Sequence, residues 1–271
     1  MRIAIVGGDA RMPYAAAALR EMGHEASICA YRETPFSPSM LAAAEAVLLP
    51  LPLSRDGVHL NAPTTDIATP LAAMARMLPD GVPLLCGHAD GTLRAIAGDR
   101  PILAYGQDEG YLRQNAYITA EGAIAMLMAQ LSASLADTPC LILGSGRLAS
   151  ALSDLLFGLH APVTVLARRQ GILLGGGQMP LPLSELLGLC GRFPVILNTV
   201  PAKLLSHTVL EAISPGTLLL ELSSAPDVLD TEVAKRRGIE VLTAPGLPGR
   251  YAPKSAGQAI ADTVAALLAE L

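Results

Sequence analysis

Short apolar, β-branched runs alternate along the chain with longer stretches rich in alanine and leucine. This alternation is typical of parallel α/β layers, in which each buried strand is followed by a helix. The strands predicted in the first half are Arg2–Val6, Ala26–Ala30, Ala46–Leu49, Pro83–Leu85 and Ile102–Ala104. Those predicted in the second half are Cys140–Leu143, Val163–Ala167, Val195–Leu197, Thr217–Leu222 and Glu240–Leu242.

The helical stretches divide the chain into two halves. Helical pattern is clearest at Ala10–Met22 and Ile67–Met77, and a long uninterrupted helix is predicted over residues 119–136, before Asp137-Thr138-Pro139. We therefore predict an α/β protein of two Rossmann-like, doubly wound parallel-sheet domains joined by a long helix. The first domain covers residues 1–118 and the second covers 119–255, while the last helix, within 256–271, packs back onto the first domain.

Composition excludes several classes of protein. The chain has 271 residues, of which 51% are hydrophobic, and its mean hydropathy of +0.44 predicts a large buried core. A membrane span needs about 18 consecutive apolar residues, and no such run occurs. The net charge of −5 and the lack of a basic run argue against a nucleic-acid partner.

The N-terminus and the cysteines bear on location. The segment MRIAIVGGDAR is a strand running into a glycine turn, which is not the pattern of a signal peptide. The four cysteines stand far apart, with neither metal-like nor disulfide-like spacing. We therefore expect a cytoplasmic protein with reduced, mostly buried thiols and no metal site.

The sharpest chemical motif follows the first strand of the second half. There the chain reads Gly144-Ser145-Gly146-Arg147-Leu148-Ala149, the G-x-G-x-x-A form of the dinucleotide fingerprint. In such a motif the first glycine makes the turn, the second lets the backbone approach the pyrophosphate, and the helix N-terminus favours the phosphate charge. A strand before it and a βαβ unit after it favour dinucleotide binding over a purely structural turn.

The end of the following strand indicates which dinucleotide is bound. An NAD site usually places an acidic residue there, but this chain has no Asp or Glu between Leu155 and Ser184 and carries Arg168 and Arg169 instead. A guanidinium suits the 2′-phosphate of NADP. The pair therefore favours NADP, the alternative being a solvated pair of surface arginines.

Several further motifs lie at loops that follow predicted strands. Gly7-Gly8-Asp9-Ala10-Arg11 forms a second strand–turn–helix corner, Asn198-Thr199-Val200-Pro201 follows a strand of the second half, and Thr243–Gly257 reads TAPGLPGRYAPKSAG. Together with the fingerprint, these segments resemble the dipicolinate synthase A subunits, and the resemblance extends over essentially the whole chain.

The resemblance implies an NADP-dependent oxidation of dihydrodipicolinate to dipicolinate in the mother cell of a spore-forming bacterium. It implies that the partner is a separate, flavoprotein-like B subunit. It also implies a substrate-side domain followed by a nucleotide domain, as in formate/glycerate dehydrogenases. Two-domain dehydrogenases of this kind commonly associate, so we expect a homo-oligomer. The segment Cys86–Asp90 and position Ala225 depart from the family pattern. These departures affect substrate identity more than cofactor binding.

A dicarboxylate substrate directs attention to cations beside the glycine-rich corners. Lys254 and Arg11 are the preferred substrate anchors, with Arg147 and Arg250 as further candidates. A proton acceptor, if one is used, is sought among His88, Asp90, Glu109 and His207. Glu121, at the start of the predicted linking helix, either takes part in catalysis or complements the helix dipole.

The remaining candidates concern the cofactor. Thr199 and Val200, in the loop from Asn198 to Pro201, are expected to flank the nicotinamide, as is Ser223; simple turn chemistry is the alternative. In the tail, Pro245 directs the path of the chain and Gly246 lets the backbone approach a ligand.

Two other functions remain open at this point. The first is a catalytically silent subunit that binds NADP(H) as a sensor or scaffold. The second is a dehydrogenase of the same architecture that acts on another keto or imino acid.

Overall fold

A computed structural model gives the structure of the chain and describes residues 1–223 and 228–271. Its strands are β1 (Arg2–Val6), β2 (Glu25–Cys29), β3 (Ala46–Leu48), β4 (Leu84–Cys86), β5 (Ile102–Ala104), β6 (Cys140–Leu143), β7 (Val163–Ala167), β8 (Leu181–Pro182), β9 (Val195–Asn198), β10 (Leu218–Glu221) and β11 (Glu240–Thr243). Its α-helices are α1 (Met12–Glu21), α2 (Pro38–Ala42), α3 (Leu71–Ala75), α4 (Gly91–Ala97), α5 (Glu109–Gln130), α6 (Arg147–Gly158), α7 (Leu186–Leu189), α8 (His207–Ala212), α9 (Thr231–Arg236), α10 (Leu247–Tyr251) and α11 (Pro253–Ala269).

The strands form two parallel, doubly wound sheets. The first has the order β2-β1-β3-β4-β5 and the second the order β11-β10-β9-β6-β7-β8. In each sheet the strand order reverses beside the first strand, between β1 and β3 or between β6 and β9. Ligands of open α/β sheets bind at this switch point, at the carboxyl ends of the strands. The predicted fold class is confirmed.

The chain divides into two compact units. The first unit consists of Met1–Asn115 and Pro248–Leu271, and the second of Ala116–Leu247. Helix α5 begins in the first unit and continues into the second.

The last helix completes the core of the first unit. Ile5 of β1, Leu19 of α1 and both Ile260 and Val264 of α11 belong to one buried apolar cluster. Helices α1 and α11 approach so closely that a Cβ atom at Gly257 would lie 2.5 Å from the carbonyl oxygen of Arg11. Only glycine permits this contact without displacing the backbone.

The second unit has its core on both faces of its sheet. Every residue of β6 is buried, and Leu152 and Leu156 of α6 pack with Ile142 in one cluster. This strand is therefore held rigidly just before the fingerprint glycines.

The long helix differs from its prediction at both ends. It begins at Glu109, because the Asp108 carboxylate accepts a hydrogen bond from the Tyr111 N–H (2.7 Å) and caps the first turn. It ends at Gln130, and Ser134 then caps a short 3₁₀ turn at Leu135–Asp137. Glu121 consequently lies in the middle of the helix, so the expectation that it complements a helix N-terminus is wrong.

Two other predictions of secondary structure need correction. Helix α3 covers only Leu71–Ala75 of the predicted Ile67–Met77, because Pro70 holds an extended conformation and disfavours helix in the residue before it. The short edge strand β8 was not predicted, since two residues carry no periodicity.

The cysteines are buried and unpaired, as the sequence predicts. Burial raises the pKa of the Cys86 thiol to about 11, together with the nearby Asp90 charge. Burial alone raises the pKa of Cys140 to about 12. Over the described part of the chain, no helix is long and apolar enough to cross a membrane, and no cluster of side chains could hold a metal ion.

Candidate functional site

The fingerprint glycines form a tight corner between β6 and α6. Gly144 has a φ of +115°, which strains any other residue, and a Cβ atom there would collide with the Thr199 hydroxyl oxygen. Gly146 precedes the first residue of α6 and faces open space, with no atom within 4 Å of a Cβ built on it. The fully buried Ala149 allows α6 to pack closely on the sheet.

This corner opens into a cavity of about 550 Å³ at the carboxyl edge of the second sheet. Its walls come from the glycine corner, the end of β7, the segment after β8 and the loop after β9. The lining residues are Gly144, Ser145, Gly146, Leu166, Ala167, Arg168, Arg169, Leu183, Thr199, Val200, Pro201 and Leu204. The cavity thus lies at the switch point of the sheet, between β6 and β9.

The two arginines stand where the sequence places them. Arg168 and Arg169 directly follow β7, are exposed and line the cavity. Neither forms an ion pair with any of the described residues, so their guanidinium groups are available to an anion.

The loop after β9 is anchored to β6. Thr199 donates from its hydroxyl and from its backbone N–H to the carbonyl oxygen of Leu143, at 2.7 and 3.1 Å. Asn198 is fully buried, and its Oδ1 accepts a hydrogen bond from the Val200 N–H at 3.1 Å. The loop wall of the cavity is therefore fixed to the strand that carries the glycine corner.

These features fit a dinucleotide. A Cβ atom at Gly146 would fill space that a pyrophosphate needs, and the 12-residue helix α6 presents its N-terminus there. Two arginines at the end of the second strand suit a phosphate on the ribose. The apolar side chains of Leu183 and Leu204 are suited to contact with a flat base.

Some predicted cofactor residues lie outside the cavity lining. Arg147 is exposed in the first turn of α6, while Leu148 is half-buried against the core. Pro245 and Gly246 form an exposed turn after β11, where Gly246 adopts a φ of +67°. Asn198 supports the cavity wall from behind rather than lining it.

Ser223 lies just before the end of the described part of this region. Its N–H donates to the Glu221 carboxylate at 2.8 Å, and its buried hydroxyl has no hydrogen-bond partner among the described residues. Position Ala225, one of the departures from the family pattern, lies outside the described residues.

Sequence reasoning missed Leu183, Leu204 and Glu221. Leu183 follows the unpredicted strand β8, and Leu204 lies in an irregular segment, so neither had a periodic signal. Glu221 stood in a predicted strand, and an acidic residue at the end of an apolar run (TLLLEL) was the available signal.

The corner of the first unit is closed. Arg11 is only 7% exposed, and it donates from Nε and Nη2 to the Asp9 carboxylate at 2.9 and 3.0 Å and from Nη2 to the carbonyl oxygen of Leu51 at 3.2 Å. Burial lowers the pKa of Arg11, but the hydrogen bonds and charge of Asp9 outweigh it, and the net pKa is raised. The geometry does not support Arg11 as a substrate anchor, because its guanidinium is committed to internal partners.

The tail motif packs onto this same corner. A Cβ atom at Gly249 would lie 3.0 Å from a carboxylate oxygen of Asp9, and Gly257 meets the backbone of Arg11. Gly249 of the tail therefore lies close to the Asp9 side chain. Arg250 is exposed, with its guanidinium 5.7 Å from the ring centre of Tyr251.

The remaining catalytic candidates are exposed and far apart in the chain. Lys254 is in the first turn of α11, His88 is in the loop after β4, and Glu121 is on α5. Asp90 instead caps α4 by accepting from the Leu93 N–H at 2.8 Å. His207 begins α8, 3.8 Å from Glu211.

Comparison with known proteins identifies relatives. Residues 2–105 match the family model of the N-terminal domain of the dipicolinate synthase A subunit. The A subunit of dipicolinate synthase from Bacillus subtilis (strain 168) is 28% identical over 296 residues, covering 100% of this chain and 97% of that protein. The crystal structure of the Bacillus subtilis protein superposes with a TM-score of 0.83 at 26% identity, covering 99% of this chain and 95% of that chain.

Two further structures show the same fold. The A subunit of dipicolinate synthase from Bacillus halodurans has a TM-score of 0.86 at 24% identity, covering 99% of this chain and 98% of that chain. The D-lactate dehydrogenase of Lactobacillus jensenii, solved with NAD⁺, has a TM-score of 0.60 at 12% identity, covering 100% of this chain and 96% of that chain.

Proposed function

Because the chain belongs to the family of dipicolinate synthase A subunits, we propose that it is an NADP-dependent dehydrogenase that oxidises dihydrodipicolinate to dipicolinate. The observation that carries this proposal is the cavity at the switch point of the second sheet, which unites the glycine corner, two arginines and an anchored loop. The D-lactate dehydrogenase of the same fold holds NAD⁺, which supports a nicotinamide cofactor here.

In the proposed reaction the substrate ring loses a hydride and a proton and becomes an aromatic pyridine. The bound nicotinamide supplies the hydride acceptor. The protein orients the two rings and neutralises the substrate carboxylates, and the aromatic product lowers the need for a strong base.

The cofactor is held by residues of the second unit. Gly144, Ser145 and Gly146 let the backbone approach the pyrophosphate, while Arg168 and Arg169 bind the 2′-phosphate. Thr199, Val200 and Pro201 form the opposite wall, fixed by the Thr199–Leu143 hydrogen bonds.

The substrate side belongs to the first unit. With Arg11 bound to Asp9, the exposed Lys254 is our preferred carboxylate anchor and His88 our preferred proton acceptor. Glu121, in the part of α5 that belongs to the second unit, is a third catalytic candidate. Arg55 adds a cation beside a hollow of about 300 Å³ in the loop after β3, where His59 also lies. We further propose that the chain forms a homo-oligomer and works with a B subunit.

The proposal is tested by following NADPH formation. The chain, with and without the B subunit of its own organism, is supplied with NADP⁺ and freshly generated dihydrodipicolinate. We expect NADPH and dipicolinate in equal amounts, and a loss of kcat/KM in Lys254→Ala with little change in NADP⁺ binding. Tight NADPH binding without turnover, with both subunits present, would instead favour a silent scaffold protein.

A further inference from the structure

Glu221 is a buried carboxylate that lacks a cationic partner. It ends β10 with 7% of its surface exposed. One carboxylate oxygen accepts a hydrogen bond from the Ser223 N–H at 2.8 Å, and the other accepts from the Asn198 amide at 2.7 Å. Within residues 1–223 and 228–271, no lysine, arginine or histidine forms an ion pair with it.

Asn198 connects this carboxylate to the wall of the dinucleotide cavity. Glu221 lies directly beside Asn198 in the register of β10 and β9. The Asn198 amide donates to Glu221, and its oxygen accepts from the N–H of Val200, a residue that lines the cavity. Glu221 therefore selects the orientation of the Asn198 amide and, through it, the position of the loop.

A neutral side chain at position 221 could hold this loop with a smaller desolvation penalty. Burying a charge is unfavourable unless an opposite charge compensates it. The two donors contacting Glu221 are uncharged, so its charge is left uncompensated by any of the described residues. Such a charge has its strongest effect on a charged ligand bound nearby in the same low-dielectric region.

We propose that Glu221 sets the preference of the cavity for the oxidised form of a nicotinamide dinucleotide, whose nicotinamide ring is positively charged, over the reduced form, whose ring is neutral. The inference rests on the proposed nicotinamide binding but not on the identity of the second substrate. Glu221 does not line the cavity, so its charge acts on the nicotinamide ring through space, while its hydrogen bond with Asn198 positions the loop. An enzyme that works in the oxidative direction gains from this preference, because the oxidised form is its substrate and the reduced form its product.

The test is the ratio of two dissociation constants. Kd values for NADP⁺ and NADPH are measured by calorimetry for the wild type, Glu221→Gln and Glu221→Asp. Glu221→Gln removes the charge, and we expect it to weaken NADP⁺ binding roughly three- to tenfold more than NADPH binding. Glu221→Asp keeps the charge and preserves the ratio, although both affinities fall because the shorter side chain loosens the loop.

A third variant separates the effect of the loop position from the effect of the charge. Asn198→Ala removes the link to the loop but keeps the carboxylate, so it should weaken both forms by similar factors. Equal losses of the two forms in Glu221→Gln, or no loss, would overturn the inference and leave Glu221 a structural residue.

If Glu221→Gln does not fold, the two dissociation constants of the wild type test the inference by themselves. NADP⁺ binding at least as tight as NADPH binding supports the inference, whereas a tenfold preference for NADPH contradicts it. If neither form binds to the wild type, both this inference and the proposed function fail. Binding of both forms with an unchanged ratio in Glu221→Gln contradicts the inference alone.

Discussion

The two sheets of this protein begin with the same strand–glycine–helix corner, yet one corner is closed and the other is open. At the first, Cβ atoms at Gly7 and Gly8 would collide with Leu60 and with Met12. At the second, Gly146 faces open space and a cavity of about 550 Å³. The carboxyl edge of a parallel sheet is therefore available to a ligand only where the protein's own side chains do not fill it.

The charged side chains at the two corners also differ in whether they are already paired. The first contains a saturated ion pair, Asp9–Arg11, with Tyr105 and Tyr111 buried beside it, their ring centres 5.1 Å apart. The second presents two arginines that have no ion pair with the described residues. The first corner is packed like core, whereas the second is open and cationic, and four experiments can break or sharpen this contrast.

The largest expected effect is on stability at the closed corner. Arg11→Ala removes the guanidinium from the Asp9 carboxylate and the Leu51 carbonyl, and we expect a loss of about 3 kcal/mol in the free energy of unfolding. Urea titrations of the wild type and the variant measure this loss. The exposed Arg250→Ala is the matched control, with a change within about 0.5 kcal/mol. A loss below about 1 kcal/mol in Arg11→Ala would mean that the pair is not structural.

A pair of glycine substitutions tests the contrast directly. Gly8→Ala introduces a side chain at a φ of +90° and against Met12, and should destabilise the fold by about 1–3 kcal/mol. Gly146→Ala meets open space, so stability should hold while NADPH binding weakens by roughly tenfold or more. Calorimetry and urea titration of both variants separate the two effects. Unchanged NADPH affinity in Gly146→Ala would show that no pyrophosphate lies at this corner.

The arginines of the open corner sharpen the choice of dinucleotide. Arg168→Ala removes charge-assisted hydrogen bonds to a 2′-phosphate, and we expect NADPH affinity to fall roughly tenfold or more with little change for NADH. Arg236→Ala, on the exposed face of α9, serves as the control. Equal losses of NADPH and NADH would contradict the assignment of the 2′-phosphate to this residue.

The smallest effect concerns pH and again belongs to the closed corner. Burial, then the adjacent Tyr111, raises the pKa of Tyr105 above its ordinary 10.0. The unfolded chain therefore loses this proton first, and stability falls as the pH rises above about 10, by at most about 1.4 kcal/mol per pH unit for one such group.

Replacement of one hydroxyl checks this expectation. The Tyr105 hydroxyl has no hydrogen-bond partner among the described residues, so Tyr105→Phe should leave neutral stability nearly unchanged and reduce the loss between about pH 10 and 11. Tyr14→Phe, at an exposed tyrosine, should not reduce it. Parallel alkaline curves for the wild type and Tyr105→Phe would rule out this ionisation as a cause.

Much of the fold was predictable from local pattern. The strands β1, β6 and β7 were predicted with the bounds that the structure has, because burial on both faces leaves a continuous apolar run. The short β8 and the start of α5 at Glu109, after the capping residue Asp108, were missed. These depend on two residues of pairing and on one capping carboxylate, and neither produces a periodic signal.

Part of the candidate site was also predictable from local pattern. Gly144, Gly146, Arg168 and Thr199 stand at strand ends, where the rule for parallel sheets places ligands, and the structure brings them together around one cavity. Arg11 also stands at a strand end, but its guanidinium is taken by Asp9 and Leu51. Sequence position gives the location of a side chain but not what already occupies its hydrogen-bonding groups.

The sequence by itself determined the two parallel sheets, the fingerprint corner and the cationic end of β7, because each is encoded in a few consecutive residues. Tertiary structure decided which corner is open, through residues distant in the chain. Gly249 and Gly257 close the tail over Asp9 and Arg11, more than two hundred positions away. Glu221 gained its link to the cavity only when β10 paired with β9. Such contacts depend on packing between elements, which no local pattern records.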